Sequence, residues 1–172
     1  MIYRYLTIVL AAIFLLAGLQ IPGFISQYSL RTDAHLREVT QNLAGFQAIA
    51  DRYHGGSLTA LIELHQRSTE PTFRAEAQVI ERMVNRQRHF LAEQRALSAG
   101  LVSSLVHLLL RGDRELLAET TQGYTYTLTL DENTLLCGAA TLVAGITIID
   151  LFYLVVRLLF RRLFRASVNT AS

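Results

Sequence analysis

The chain contains no lysine, and all sixteen of its basic residues are arginine. Two readings of that bias stand side by side: arginine favours two-pronged contacts to carboxylate or phosphate, and a GC-rich coding bias gives the same composition. Cysteine is almost absent as well. Cys137 is the only one, which excludes an intramolecular disulfide and a metal site built on thiolates. It reads most simply as a small packing residue.

Catalytic patterns are also missing. His35, His54, His65, His89 and His107 include no pair three or four apart, and no H-E-x-x-H occurs. His89 and Glu93 share a helix face, but two ligands make a weak site. No nucleophile elbow, P-loop or paired-carboxylate signature is present. The expectation is a protein that is not an enzyme, with no cofactor and no resident metal. The formal net charge of +2 is too small to argue for a nucleic-acid partner.

The last scarcity is local. Leu6 to Ile25 has no charged residue, and Leu135 to Phe160 has only Asp150 and Arg157. A helix needs about 20 apolar residues to cross a hydrocarbon core of roughly 30 Å, and both segments meet that length. The overall composition, 51% hydrophobic with a mean hydropathy of +0.30, fits a chain that is part membrane and part water-exposed. The first segment lacks a convincing A-x-A cleavage site after Ala17-Gly18-Leu19, so it reads as a retained helix rather than a signal peptide.

Arginines set the orientation. Arg157, Arg161, Arg162 and Arg165 lie at the C-terminal flank and Arg4 at the N-terminus. The positive-inside rule then puts both termini in the cytoplasm, and the stretch between faces the periplasm of a bacterium. The reading divides the chain into a first membrane helix at 1–25, a periplasmic helical domain at 26–134, a second membrane helix at 135–160 and a basic cytoplasmic tail at 161–172. The location is the inner membrane, crossed twice. Residues 26–134 are enough for a small core, near the size at which cores become marginal.

Within the second segment, Cys137, Thr141 and Gly145 recur at four-residue spacing, and Ala11 and Gly18 make a weaker small-residue face on the first. Small side chains let helices approach closely, either within one chain or against a partner helix or a second copy. Asp150 lies inside the apolar run; an intramembrane acid is costly and is a functional candidate by default. It also has a plain reading, an acid near the cytoplasmic end reaching Arg4 or a headgroup. These four residues are the candidate helix-docking surface.

The middle reads as helices. Leu36, Val39, Leu43, Phe46, Ala50 and Tyr53 step by three and four, with Pro22-Gly23 expected to kink the helix that leads into them. His54-Gly55-Gly56 ends it, and Ser57 caps a short helix to about Arg67. Pro71 suits the first turn of the next helix, whose stripe is Phe73, Ala77, Ile80, Val84, Gln87, Leu91 and Leu97. Leu101 to Leu110 is a short apolar helix, too short to span, that either lies against the bilayer or caps the base of the bundle. Asp113 caps a further short helix, and Tyr124 to Leu130 alternates like an extended segment. The fold class expected is mainly α: two transmembrane helices bracketing a periplasmic antiparallel helical hairpin or bundle. Arg82, Arg86, Arg88 and Arg95 form the densest basic run, either an anionic contact or a solvated face interleaved with Glu76, Glu81 and Glu93.

Several stretches resemble a bacterial family of short membrane proteins catalogued as domain of unknown function 2937. They are Tyr3-Arg4-Tyr5-Leu6, the segment from Ala17 to Phe24, Asn42-Leu43-Ala44-Gly45-Phe46-Gln47, Arg52-Tyr53-His54-Gly55-Gly56-Ser57-Leu58 and Gly123-Tyr124-Thr125-Tyr126. The resemblance spans nearly the whole chain; it implies the same architecture and adds no site residue. Two functional classes follow from the residues. One is a non-catalytic accessory or scaffold protein that binds another envelope membrane protein, or itself, in the lipid bilayer. The other is a periplasmic ligand sensor acting through a separate partner, an analogy at the level of fold.

Overall fold

Local chemistry sets where the helices of this chain begin and end. A computed structural model describes the backbone of residues 2–126 and 131–169, with side chains for 4–126 and 131–158. Among the described residues there are six helices and no strand: α1 (Ile2–Tyr53), α2 (Leu58–Gln66), α3 (Pro71–Leu97), α4 (Leu101–Arg111), α5 (Arg114–Gln122) and α6 (Glu132–Asn169). Pro22 has no N–H to give to the Gly18 carbonyl, yet α1 continues through it. Gly55 and Gly56, at φ +58° and +83°, stop α1 with backbone conformations that side-chain-bearing residues avoid.

Each later helix starts on a recognisable signal. The Ser57 hydroxyl accepts from the Ala60 N–H at 3.2 Å, Pro71 sits in the first turn of α3, and Asp113 accepts from the Leu116 N–H at 3.0 Å. Asp131 does the same for Thr134 at 3.2 Å, so α6 begins three residues before the apolar run. It also continues past Phe160 to Asn169. Of the segment expected to be extended, Tyr124 to Tyr126 lies outside the helices, and residues 127–130 lie outside the described residues.

The chain divides into two units, residues 24–124 and residues 1–23 with 125–172. In the first, Val39, Leu43, Ile62, Ala77, Ile80 and Phe90 form the centre of a buried cluster, each large side chain contributing about 1.5–3 kcal/mol by leaving water. Gln87 donates to Thr40 at 3.0 Å, and Gln94 donates to Asp33 at 2.9 Å. The partner numbers fall along α3 as they rise along α1, so these stretches run antiparallel. Tyr53 and Phe73, read from the pattern as stripe positions, are exposed instead; each lies in a terminal turn of its helix, and the Phe73 ring meets His65 at 5.3 Å.

The second unit holds the apolar parts of α1 and α6. They are the two helices long and apolar enough to cross a membrane, with mean hydropathies of 2.4 and 2.2 over their best windows. Their contact is made by glycine. A β-carbon on Gly18 would stand 2.7 Å from the Cys137 carbonyl oxygen and overlap Thr141, one on Gly145 would stand 2.8 Å from the Phe14 β-carbon, and one on Gly138 would stand 2.6 Å from Leu19.

Candidate functional site

The most polar buried place in the unit 24–124 is built on a tyrosine. Tyr28 lies three residues past Ile25 on α1 and is fully buried. Its hydroxyl donates to Glu93 Oε2 on α3 at 2.8 Å and accepts from the Asp113 backbone N–H at 2.9 Å. Both functions of the phenol are thereby used. Glu93 is 5% exposed, and a carboxylate so placed is costly unless it is paired and hydrogen-bonded. A second donor meets the same oxygen: His107 Nε2, on α4, lies 3.0 Å away. Nε2 is thus the ring nitrogen that His107 turns to the carboxyl group.

Asp113 extends the cluster. Its Oδ2 lies 2.9 Å from His89 Nε2, while Oδ1 caps α5. His89 and His107 therefore approach from α3 and α4, and one network ties α1, α3, α4 and the start of α5 together. A third histidine–carboxylate contact runs from His35 Nε2 to Glu119 Oε2 at 2.9 Å. The His35 ring stacks on Phe90 at 5.4 Å.

Two members of the cluster have shifted acidities. Burial, followed by the hydrogen bond to Glu93, pushes the Tyr28 phenol far above its ordinary range, so it is a permanent donor. At Asp113 burial raises the pKa, but the Leu116 N–H and His89 outweigh it, and the carboxyl sits below its ordinary 3.8. Chemically the arrangement is a clamp: the acids and bases are spent on one another across helices. Among the described residues, no group of three or more His, Cys, Asp or Glu is arranged to hold a metal ion.

The residues singled out in the sequence lie elsewhere. Thr141 and Cys137 face Gly18, and Gly145 faces Phe14, so their neighbours belong to the chain's own first helix. Thr141 also donates within α6, to the Cys137 carbonyl at 2.7 Å. Asp150 is exposed and takes part in an interaction of its own. The four arginines of α3 are exposed but not gathered. Arg86 lies over the Phe90 ring at 5.3 Å, while Arg88 lines a polar groove beside α2 with Glu63 and Glu81. At about 100° per residue, Arg82 and Arg86 share one side of the helix, Arg88 and Arg95 another.

Tyr28 and Glu93 are absent from the sequence-derived candidates. A usable signal existed in the spacing: Tyr28 and Thr32 continue the α1 stripe backwards, and Glu93 continues the α3 stripe three residues after Phe90. The comparison with protein families bears on the whole chain, because one model, described as a protein of unknown function (DUF2937), matches residues 2–162. The chain belongs to that family. No curated protein and no solved structure matches it significantly. Family membership thus agrees with the resemblance read from the sequence.

Proposed function

We propose that this family member is a two-pass protein of a bacterial inner membrane, with both termini in the cytoplasm, and that it serves as a non-catalytic accessory or scaffold for another envelope protein. The unit 24–124 would face the periplasm. The observation that carries the reading is the fate of the titratable groups. Tyr28, Glu93, His107, Asp113 and His89 are bonded to one another across helices, which suits a rigid spacer better than a reaction centre. The Cys137–Thr141–Gly145 ladder then serves the chain's own helix pair. A partner is better sought on exposed apolar side chains at the far end of the unit: Tyr53, 68% exposed, Leu64 and Phe73.

The ligand-sensor reading has one observation in its favour, the polar groove of about 290 Å³ between α2 and α3 lined by Thr59, Glu63, Gln66, Glu81, Asn85 and Arg88. Glu63 in that lining is already paired with Arg67 at 3.4 Å, and the scaffold reading is preferred.

The test combines place and contact in cells. Alkaline phosphatase fused at residue 60 is expected to be active and the same enzyme fused after Ser172 inactive. A photo-crosslinking amino acid at Tyr53, Leu64 or Phe73 is expected to give one discrete protein adduct at native expression. An active terminal fusion overturns the topology. The absence of any adduct at all three positions overturns the scaffold role.

A further inference from the structure

α4 is apolar on the wrong side. Its inward face is accounted for: Ser104 and Leu108 are buried, and His107 is held by Glu93. Its outward face carries Val102, Val106, Leu109 and Leu110, which are 73%, 48%, 75% and 77% exposed. At about 100° per residue these four fall within one narrow arc of the helix. An apolar helix face belongs in a core or in lipid, and this one is in no core of its unit.

The position of α4 within its unit points to the missing solvent. The turn that ends α4 is fastened to Tyr28 through the Asp113 N–H. Tyr28 is three residues, about 4.5 Å of rise, beyond Ile25, the last residue of the first apolar run. Phe24 and Ile25 themselves pack against the unit's core, and the Phe24 ring meets Tyr124 at 5.5 Å. The C-terminal end of α4 is therefore at the level where the apolar run of α1 ends. Arg111 and Arg114, both exposed, flank this end, the charge that suits lipid phosphate.

We propose that α4 lies on the bilayer surface, with Val102, Val106, Leu109 and Leu110 sunk into the headgroup–acyl boundary and Arg111 and Arg114 on anionic phosphates. Interfacial helices of this kind bury their apolar face roughly 5–10 Å deep. The buried Tyr28–Glu93–His107 cluster then has a purpose: it fixes the helix that rests on the membrane. The inference rests on the membrane reading proposed above.

The experiment uses the full chain in nanodiscs of phosphatidylcholine and phosphatidylglycerol, in a Cys137→Ser background. A fluorescent label is attached at Leu109→Cys, and separately at Leu64→Cys and Ile13→Cys. It is quenched either by lipids carrying a nitroxide high on the acyl chain or by aqueous iodide. Leu109 is expected to follow Ile13, quenched several-fold more by the lipid probe than Leu64 is, and protected from iodide. If Ile13 itself escapes the lipid probe, the membrane reading fails and this proposal with it. If Ile13 is quenched by lipid but Leu109 responds to iodide as Leu64 does, only the placement of α4 is overturned. Protection of Leu109 from both probes assigns the face to a protein, a partner or a second copy, and equally overturns it. Arg111→Gln with Arg114→Gln is expected to weaken the lipid quenching at Leu109; unchanged quenching in that pair overturns the phosphate contact.

Discussion

The two units join their helices by opposite means. Between residues 24 and 124, helices meet through a hydrophobic core crossed by polar bonds: Tyr28 to Glu93, Gln87 to Thr40, Gln94 to Asp33. In the other unit, α1 and α6 meet by shape, with Gly18 against Thr141 and Gly145 against Phe14. The contrast follows from the solvent each is suited to. In water, burial of apolar surface drives association and polar bonds select one arrangement. Between helices in lipid there is no hydrophobic force to exploit, so close van der Waals approach at small residues takes its place.

That comparison breaks hardest at Glu93. Glu93→Ala leaves both the Tyr28 hydroxyl and His107 without their shared acceptor. Leaving a buried donor unsatisfied typically costs about 1–3 kcal/mol, and here two donors lose one acceptor. The melting transition of the unit 24–124, followed by circular dichroism in mild detergent, is expected to fall sharply. The combination Tyr28→Phe, Glu93→Leu and His107→Leu removes all three polar groups and is expected to recover much of the loss. A single variant that melts with the wild type would show that the cluster fastens nothing.

The glycines test the other half. Gly18→Leu places a side chain into the Cys137 carbonyl and Thr141, and overpacking of this kind costs about 1–3 kcal/mol. Gly45 is also helical, but a β-carbon there meets nothing within 4 Å. Gly45→Ala is therefore expected to stabilise by about 0.5–1 kcal/mol, through the lower helix propensity of glycine alone. Opposite signs in the same melting assay sharpen the distinction between a packing glycine and an incidental one; a Gly18→Leu protein as stable as wild type would remove the close helix approach.

What the sequence made legible was whatever acts locally. Ser57, Pro71 and Asp113 announce their helix starts within three residues, and the Gly55-Gly56 stop needs no distant partner. The two apolar runs, and the small residues at 18, 141 and 145, were equally readable. The buried cluster was not, because its pairs are far apart in the chain: Tyr28 and Glu93 are separated by 65 residues. A glutamate on an arginine-rich helix looks like part of a solvated face, and the pattern at that end of α3 was drawn through Leu91 rather than through Phe90 and Glu93. His107 was hidden differently, inside a helix whose leucines commanded the reading. The arginine run of α3 shows the converse, since residues close in sequence are divided by the helical turn between two exposed sides.

The smallest expected effect lies at the rim of the cluster and appears in acid. Asp113 is partly exposed, and its carboxyl is held below the ordinary 3.8 in the folded chain because the Leu116 N–H and His89 outweigh its burial. A group whose folded pKa is depressed contributes its full stability while both states are ionised. As pH falls through the ordinary value the unfolded chain takes the proton first, and the contribution is lost until the folded carboxyl is protonated too. Asp113→Asn keeps a good helix cap but cannot ionise. The stability advantage of wild type over Asp113→Asn is therefore expected to be constant near neutrality and to shrink between about pH 5 and pH 2. Melting temperatures of both proteins across that range measure it directly. Parallel curves down to the lowest pH would mean that the carboxylate charge, as distinct from the cap, contributes nothing to holding α5 in place.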